Sequence, residues 1–232
     1  LEQCPAAYEV AKPIGGHTDG CRIGFDAGGS DRKVSAVVNG EVIYSEEVVW
    51  FPKTNEDPEY HYQGILDSFR RAAEKMPSVD AIGVSSAGIY IDNEVRVASL
   101  FIKVAPADFE ARIKNIYLDV VKQLENELGH PIPVVVANDG DVTALAGAMD
   151  LKDNSVLGIA MGTSEAAGYV DKDGNITGWL NELAFVPVDF NKGAMVDEWS
   201  GDYGCGVKYF SQDAVIKLAP RAGIELDESL SP

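Results

Sequence analysis

Three short stretches of this 232-residue chain bring together residue types that could do chemistry. The first, FDAGGSDRK, sets Asp26, Gly28, Gly29, Ser30 and Lys33 directly after an apolar, strand-like run. Glycines carry no Cβ, so the backbone N–H groups of such a turn can converge on an oxyanion, and a hydroxyl and a cation add to the attraction. Asp26, just ahead of the glycines, is placed to orient a hydrated Mg2+, an ion that takes few carboxylate ligands and keeps its waters. The second stretch, MGTSEA, repeats the pattern with Gly162, Thr163 and Ser164. The third, VVVANDGD, puts Asn138 and Asp139 where a buried strand gives way to a helix, the end at which open α/β sheets bind ligands. A carboxylate there can take the proton of an attacking hydroxyl, the base's task in phosphoryl transfer to an alcohol. Each piece has a plainer reading: either turn alone is an ordinary polar turn, and Asp139 or Asp141 alone is a helix cap. The two turns together favour phosphate binding.

The elements that must position these residues follow from periodicity. CRIGF, VSAVV and EVIYSEEVVW read as three strands, with Asn39-Gly40 making a hairpin between the last two. YHYQGILDSFRRAAEKM places Ile65, Leu66, Phe69, Ala72, Ala73 and Met76 on one helical face, and Pro77 stops it. AIGVSS follows as a short buried strand. After a loop region, one long helix is predicted from Pro106 to Gly129, carrying Phe109, Ile113, Ile116, Val120, Leu124 and Leu128. IPVVVAN is a continuous apolar strand of the buried parallel kind, and DVTALAGAM a short helix. Three strands, helix, strand, helix, strand, helix is the order of a ribonuclease-H-like domain, an α/β fold. A second copy starts after residue 150, with SVLGIA as its first strand and AGYVDKDGNITGW as a hairpin. Gly29 precedes Gly40 by 11 residues and Gly162 precedes Gly174 by 12, the matched spacing of an internal duplication. The expected organisation is a flexible lead-in over 1–20, a first lobe over 21–150 and the first part of a second lobe over 151–232, the second lobe being incomplete.

Composition limits the partners. With 37 acidic against 19 basic residues the net charge is −18, which disfavours a nucleic-acid backbone or an anionic membrane surface. No apolar run approaches the roughly 20 residues of a membrane span, and the first 20 residues lack the apolar core of a signal peptide. Cys4, Cys21 and Cys205 are too few and too scattered for a disulfide framework or a zinc ribbon, so a reducing cytoplasm is the expected setting.

FDAGGSDRK, VVVANDGDVTALAGA, MGTSEAAGYVDKDGN and GWLNELAFVPV, in this order and spacing, resemble the ROK family of sugar kinases and related repressors, within the actin/hexokinase/Hsp70 ATPase superfamily. The resemblance runs from about Cys21 to Ser211. It implies two ribonuclease-H-like lobes of the actin-like ATPase fold with ATP, Mg2+ and a hexose in the cleft between them, and hence ATP-dependent phosphorylation of a sugar hydroxyl, glucokinase-like. By position it implies Asp139 as catalytic base and Asn138 as its sugar-binding neighbour. Asp26, Gly28, Gly29 and Ser30 fall on the first phosphate motif, with Lys33 as a further charge, and Gly162, Thr163 and Ser164 open the second. Glu182 matches a sugar-binding glutamate, and the segment SSAGIYIDNEVRVASLFIKV, with Ser86 and Gly88, resembles the part that closes over the sugar. A small-molecule sugar is the implied partner, and a homodimer is left open as the assembly.

The chain also departs from the pattern. Phe185 stands where the family has a histidine that contacts sugar and zinc, and Val207 where it has a second sugar-binding glutamate. The zinc loop has become WSGDYGCGVKYFS, which keeps Cys205 but not its companions, so no structural zinc is expected. Glu165 adds negative charge beside the second phosphate motif. These departures leave open a relative that senses a sugar without phosphorylating it. Asp171, Asp173, Asn175 and Glu182 match a calcium-loop template except that its glycine is Ile176, and a hairpin is preferred there. His17, His61 and His130 stand apart from co-ligands and read as solvated or capping residues, and Trp179 and Trp199 suit either sugar stacking or packing.

Overall fold

The computed structural model describes residues 11–226 except Thr163 and Trp199; Cys4 lies outside them. The chain divides into two compact units, one of Gly16–Val142 and one of Leu1–Gly15 with Thr143–Pro232.

In the Gly16–Val142 unit, β1 (Cys21–Ala27), β2 (Asp31–Val38), β3 (Glu41–Val49), β4 (Ala81–Ser86) and β7 (Val134–Asn138) form one sheet in the order β3-β2-β1-β4-β7. β1, β2 and β3 are successive antiparallel neighbours, while β4 lies parallel to β1 and β7 parallel to β4. That is the three-strand meander with parallel additions that the order of elements predicts. Asn39 and Gly40, both at positive φ, make the expected turn between β2 and β3. On β1, Cys21, Ile23, Phe25 and Ala27 point into the core, so the strand's period of two sends Asp26 to the opposite face.

Helix α1 (Pro58–Ala73) begins at Asp57, whose carboxylate accepts from the N–H of Glu59 at 2.9 Å, and at Pro58, which has no N–H to leave unpaired. It buries Ile65, Leu66, Phe69 and Ala72, and Phe69 meets Phe25 edge to face at 5.3 Å, a pairing worth about 0.5–1.5 kcal/mol beyond burial. The long helix predicted after Pro106 is interrupted. A single turn, α2 (Pro106–Asp108), passes into a π-helical turn over Phe109–Ile113 before α3 (Ile116–Leu128) starts. The interruption has a visible cause: the carbonyl of Lys114, released from regular helix bonding, accepts from the N–H of Val95 at 2.8 Å. Gly129, at φ +80°, ends α3 in the left-handed conformation that glycine adopts freely.

The stretch expected as loop before this helix holds a hairpin, β5 (Ile89–Ile91) and β6 (Glu94–Val97), joined by Asp92 and Asn93 at φ +54° and +65°. His61 is a core residue and not a solvated one: it is fully buried against Trp50, Tyr60 and Phe101, and its Nδ1 has no hydrogen-bond partner.

The other unit is built on α4 (Asp139–Leu151), which starts at the boundary, and the antiparallel pair β8 (Val156–Met161) and β9 (Glu165–Val170). The helix expected to close the first lobe packs instead here, because Ala144, Leu145 and Ala148 are buried together with Val156, Val170 and Ile176. Gly158 makes this approach possible: a Cβ on it would lie 2.5 Å from the backbone N of Ala144. Leu157, Ile159 and Met161 on the alternate positions of β8 are exposed. The expected third strand of the duplication reduces to a bridge between Val170 and Ile176, and Ile176 pairs on its other side with Lys12. Lys12 is thus tied down within a segment expected to be flexible. In the expected hairpin tip, one carboxylate oxygen of Asp171 accepts from the N–H groups of Asp173 and Asn175 at 2.9 and 2.8 Å, so the first acid of the calcium-like pattern stabilises a turn. A further helix, α5 (Gln212–Leu218), is capped by Ser211 Oγ accepting from Ala214.

Candidate active site

The parallel strands β1, β4 and β7 end side by side, and their register places Asp26 opposite Ser85, Ala27 opposite Ser86, and Ser86 opposite Asn138. Most of the residues expected in the Gly16–Val142 unit therefore collect along one sheet edge. Ser85, which sequence reasoning passed over, donates its hydroxyl to Asp26 Oδ1 at 2.8 Å and fixes that carboxylate. Asp139 follows β7 and opens α4, half-buried. Burial, with the negative charge of Asp26 nearby, raises its pKa above the ordinary aspartate value, against the pull of the Gly140 N–H and of Lys53. A raised carboxyl next to a second acid is the setting in which a base is tuned toward neutral pH.

Two of the expected sugar contacts are already engaged. Asn138 donates to the Gly88 carbonyl at 2.8 Å and accepts from the Gly140 N–H at 2.8 Å, so it caps α4 and ties it to the segment before β5. Ser86 has no exposed surface, and its hydroxyl accepts from Tyr90 at 2.6 Å and Tyr117 at 3.0 Å. Burial pushes the Tyr117 phenol up to about 12, so both tyrosines stay neutral donors. Gly88, at φ +134°, has no room for a side chain, since a Cβ would lie 2.3 Å from the Val97 carbonyl oxygen. Asn93 at the hairpin tip accepts from the Val136 N–H at 2.9 Å and donates to the Val134 carbonyl at 3.2 Å, occupying the open edge of β7.

The turn from Gly28 to Ser30 is held from outside itself. Trp50 donates its indole N–H to the Gly28 carbonyl at 2.8 Å and its backbone N–H to the Ser30 carbonyl at 3.1 Å. Gly28 is obligatory on space, because a Cβ would sit 2.7 Å from the Asp31 carbonyl oxygen. Lys33, expected to offer its charge to a phosphate, is bonded to Asp31, which is also the chief reason its pKa is raised. Asp31 and Lys33 are thus each engaged by the other.

In the other unit, Gly162 donates to the Ser164 carbonyl at 3.0 Å and accepts from the Gln212 N–H at 2.8 Å, a tight turn anchored to the start of α5. Thr163 lies outside the described residues. Glu165 does not extend into solvent. It is buried, with Oε2 unpartnered in the space that a Cβ on Gly206 would occupy, and burial raises its pKa. Glu182 is exposed, and Phe185 is 36% exposed close by in the chain. Trp179 stacks flat on Tyr169 at 5.9 Å, with more than half its surface free. Where the resemblance implies a zinc loop, Lys208 is buried between Asp197, at 3.3 Å, and Glu198, while Cys205 is buried and its thiol pKa is raised. Among the described residues no three His, Cys, Asp or Glu side chains are grouped to hold a metal. For Mg2+, the carboxylate present is Asp26, fixed by Ser85; a single carboxylate would suit an ion that is held otherwise through waters and phosphate oxygens.

Solved structures match this architecture. A ROK family glucokinase from Streptomyces griseus, in complex with glucose and AMPPNP, superposes with a TM-score of 0.64 over 87% of this chain and 61% of its own, at 22% identity. The chain has the ROK-family actin-like ATPase fold. The ROK hexokinase from Thermus thermophilus matches at a TM-score of 0.61 and 18% identity, over 89% of this chain and 66% of its own. A ROK family transcriptional regulator, a homologue of the E. coli MLC protein, matches at 0.60 and 17%, over 87% and 49%. The chain thus spans between about half and two thirds of these ROK proteins. No protein-family model and no curated protein sequence matches it. No helix among the described residues is long and apolar enough to cross a membrane.

Proposed function

We propose that the chain carries the phosphoryl-transfer site of an ATP-dependent sugar kinase, with Asp139 as general base toward a sugar hydroxyl. The observation that carries this reading is the position of Asp139: half-buried at the carboxyl edge of β7, with a raised pKa, on the same sheet edge as Asp26. A base must be ionised yet ready to accept a proton, and burial beside a second acid supplies that compromise. Bound Mg2+ would neutralise charge on the phosphates. Asp26, fixed by Ser85, would hold its hydration shell; the Gly28–Ser30 turn would offer backbone N–H groups to a phosphate. Gly162, Thr163 and Ser164 are assigned to the nucleotide, and Glu182 to the sugar, on sequence position. Asn138, Ser86 and Gly88 keep a place at the sugar site as the scaffold that sets Asp139 in line. The glucokinase and hexokinase among the structural relatives support the reading.

The test is sugar-dependent ADP release over a panel of hexoses and amino sugars. Release that vanishes in Asp139→Asn supports the assignment; no release with any sugar sinks the kinase reading. A second reading, in which a sugar is bound but not phosphorylated, is favoured by Phe185, an apolar surface where the kinases place a histidine, and by the regulator among the relatives. Thermal stabilisation by sugar but not by Mg-ATP would select it.

A further inference from the structure

We propose that Lys53 is the cation of the Gly28–Ser30 turn, binding a terminal phosphoryl group through its ammonium. The inference rests on the nucleotide-binding reading of that turn and adds a residue that neither motif contains. A Cβ built on Gly29 would lie 2.9 Å from both Cε and Nζ of Lys53, so the end of the lysine lies directly over the glycine, in space only a residue without a side chain leaves open. Lys53 is exposed, and among the described residues no carboxylate pairs with it at ion-pair distance. Lys33, the nearer lysine in sequence, is bonded to Asp31.

The lysine is not simply a long side chain that happens to lie there. Trp50, three residues earlier, makes two hydrogen bonds to the turn, at 2.8 and 3.1 Å. Phe51 donates its N–H to Tyr60 Oη at 2.9 Å, and Pro52 is buried at the head of the 3-10 turn Pro52–Thr54 that carries Lys53. The backbone of Lys53 is therefore fixed to the turn it overlies. Among the described residues, no backbone acceptor takes the N–H of Gly29 or Ser30. Unpaired donors beneath an unpaired ammonium, in a protein of net charge −18, form a local exception that suits a small multivalent anion. The positive charge also reaches Asp139, whose pKa it lowers, so the same lysine would touch phosphate and favour the ionised base.

The experiment measures tripolyphosphate binding by titration calorimetry, with magnesium present and no sugar. Lys53→Ala should weaken binding about tenfold or more, and Lys53→Arg should restore most of it. Lys75→Ala, which removes one charge from a lysine lying over the Tyr44 ring, should stay within about twofold of the parent and controls for net charge. Binding in Lys53→Ala within twofold of the parent, an equal loss in Lys75→Ala, or a parent that binds no tripolyphosphate would each overturn the proposal. Because no sugar is used, Lys53-dependent binding without sugar phosphorylation would reject the kinase reading and leave this inference standing.

Discussion

At the scale of single residues, the proposed phosphoryl transfer rests on how Asp139 is charged. Its ordinary value is 3.8, and in the fold burial and Asp26 raise it while Gly140 and Lys53 pull it down. The ionised base is present above the folded pKa and lost as pH falls through it, so turnover should drop on the acid side at a pH above the usual aspartate range. Asp139→Asn should lower kcat by about 10^2- to 10^4-fold while leaving thermal stability near that of the parent. Lys53→Met removes a charge that favours the ionised form, so the acid limb of the pH–rate profile should move upward; a limb that stays in place would separate Lys53 from the base. Asp26, Gly28, Asn138 and Asp139 were legible in the sequence because glycines and acids at strand ends are few and stand out. Ser85 and Lys53 were not. A serine in a strand and a lysine in an acidic loop give no signal until β1 and β4 are in register and Trp50 has tied the loop to the turn.

At the scale of elements, the candidate site depends on the segment between β4 and β6. Gly88 adopts φ +134° against the Val97 carbonyl, and its own carbonyl receives Asn138. Gly88→Ala should therefore destabilise the protein by roughly 1–3 kcal/mol, read as a lower urea midpoint with an unchanged slope, and should disturb the start of α4. The three-strand meander, α1 and β7 were readable from the alternation of apolar residues and from Asn39-Gly40. The β5–β6 hairpin was not read, although Asp92-Asn93 between two alternating runs carried its signal. The break in the helix after Pro106 left no trace in periodicity, because Ile113 and Ile116 remain buried across it; its cause is a single carbonyl engaged by Val95. The packing of α4 with β8 and β9 was equally hidden, since its small apolar residues suit either neighbour.

At the scale of the whole molecule, His61 links stability to pH. The imidazole is fully buried with Nδ1 unpartnered, and burial lowers its pKa from 6.5. Below 6.5 the unfolded chain binds a proton that the folded one resists, so this contribution to stability is full above 6.5 and declines as pH falls toward the folded value. Melting curves recorded from pH 7.5 to 5.5 should show a falling Tm, and His61→Phe, which keeps a ring among Trp50, Tyr60 and Phe101, should flatten that slope.

The outward row of β8 has a consequence for how copies of the chain behave toward one another. Leu157, Ile159 and Met161 offer water a short apolar ladder on a two-stranded sheet, the kind of surface through which molecules stick. Near neutral pH the net charge of −18 holds copies apart. As the medium is acidified toward the isoelectric point near 4.4 that repulsion disappears, and colloidal stability is left to the ladder alone. Light scattering should rise steeply there, and replacing Ile159 with Ser, which interrupts the ladder without moving the isoelectric point, should reduce the rise; clear solutions of the parent at that pH would mean the ladder is not adhesive.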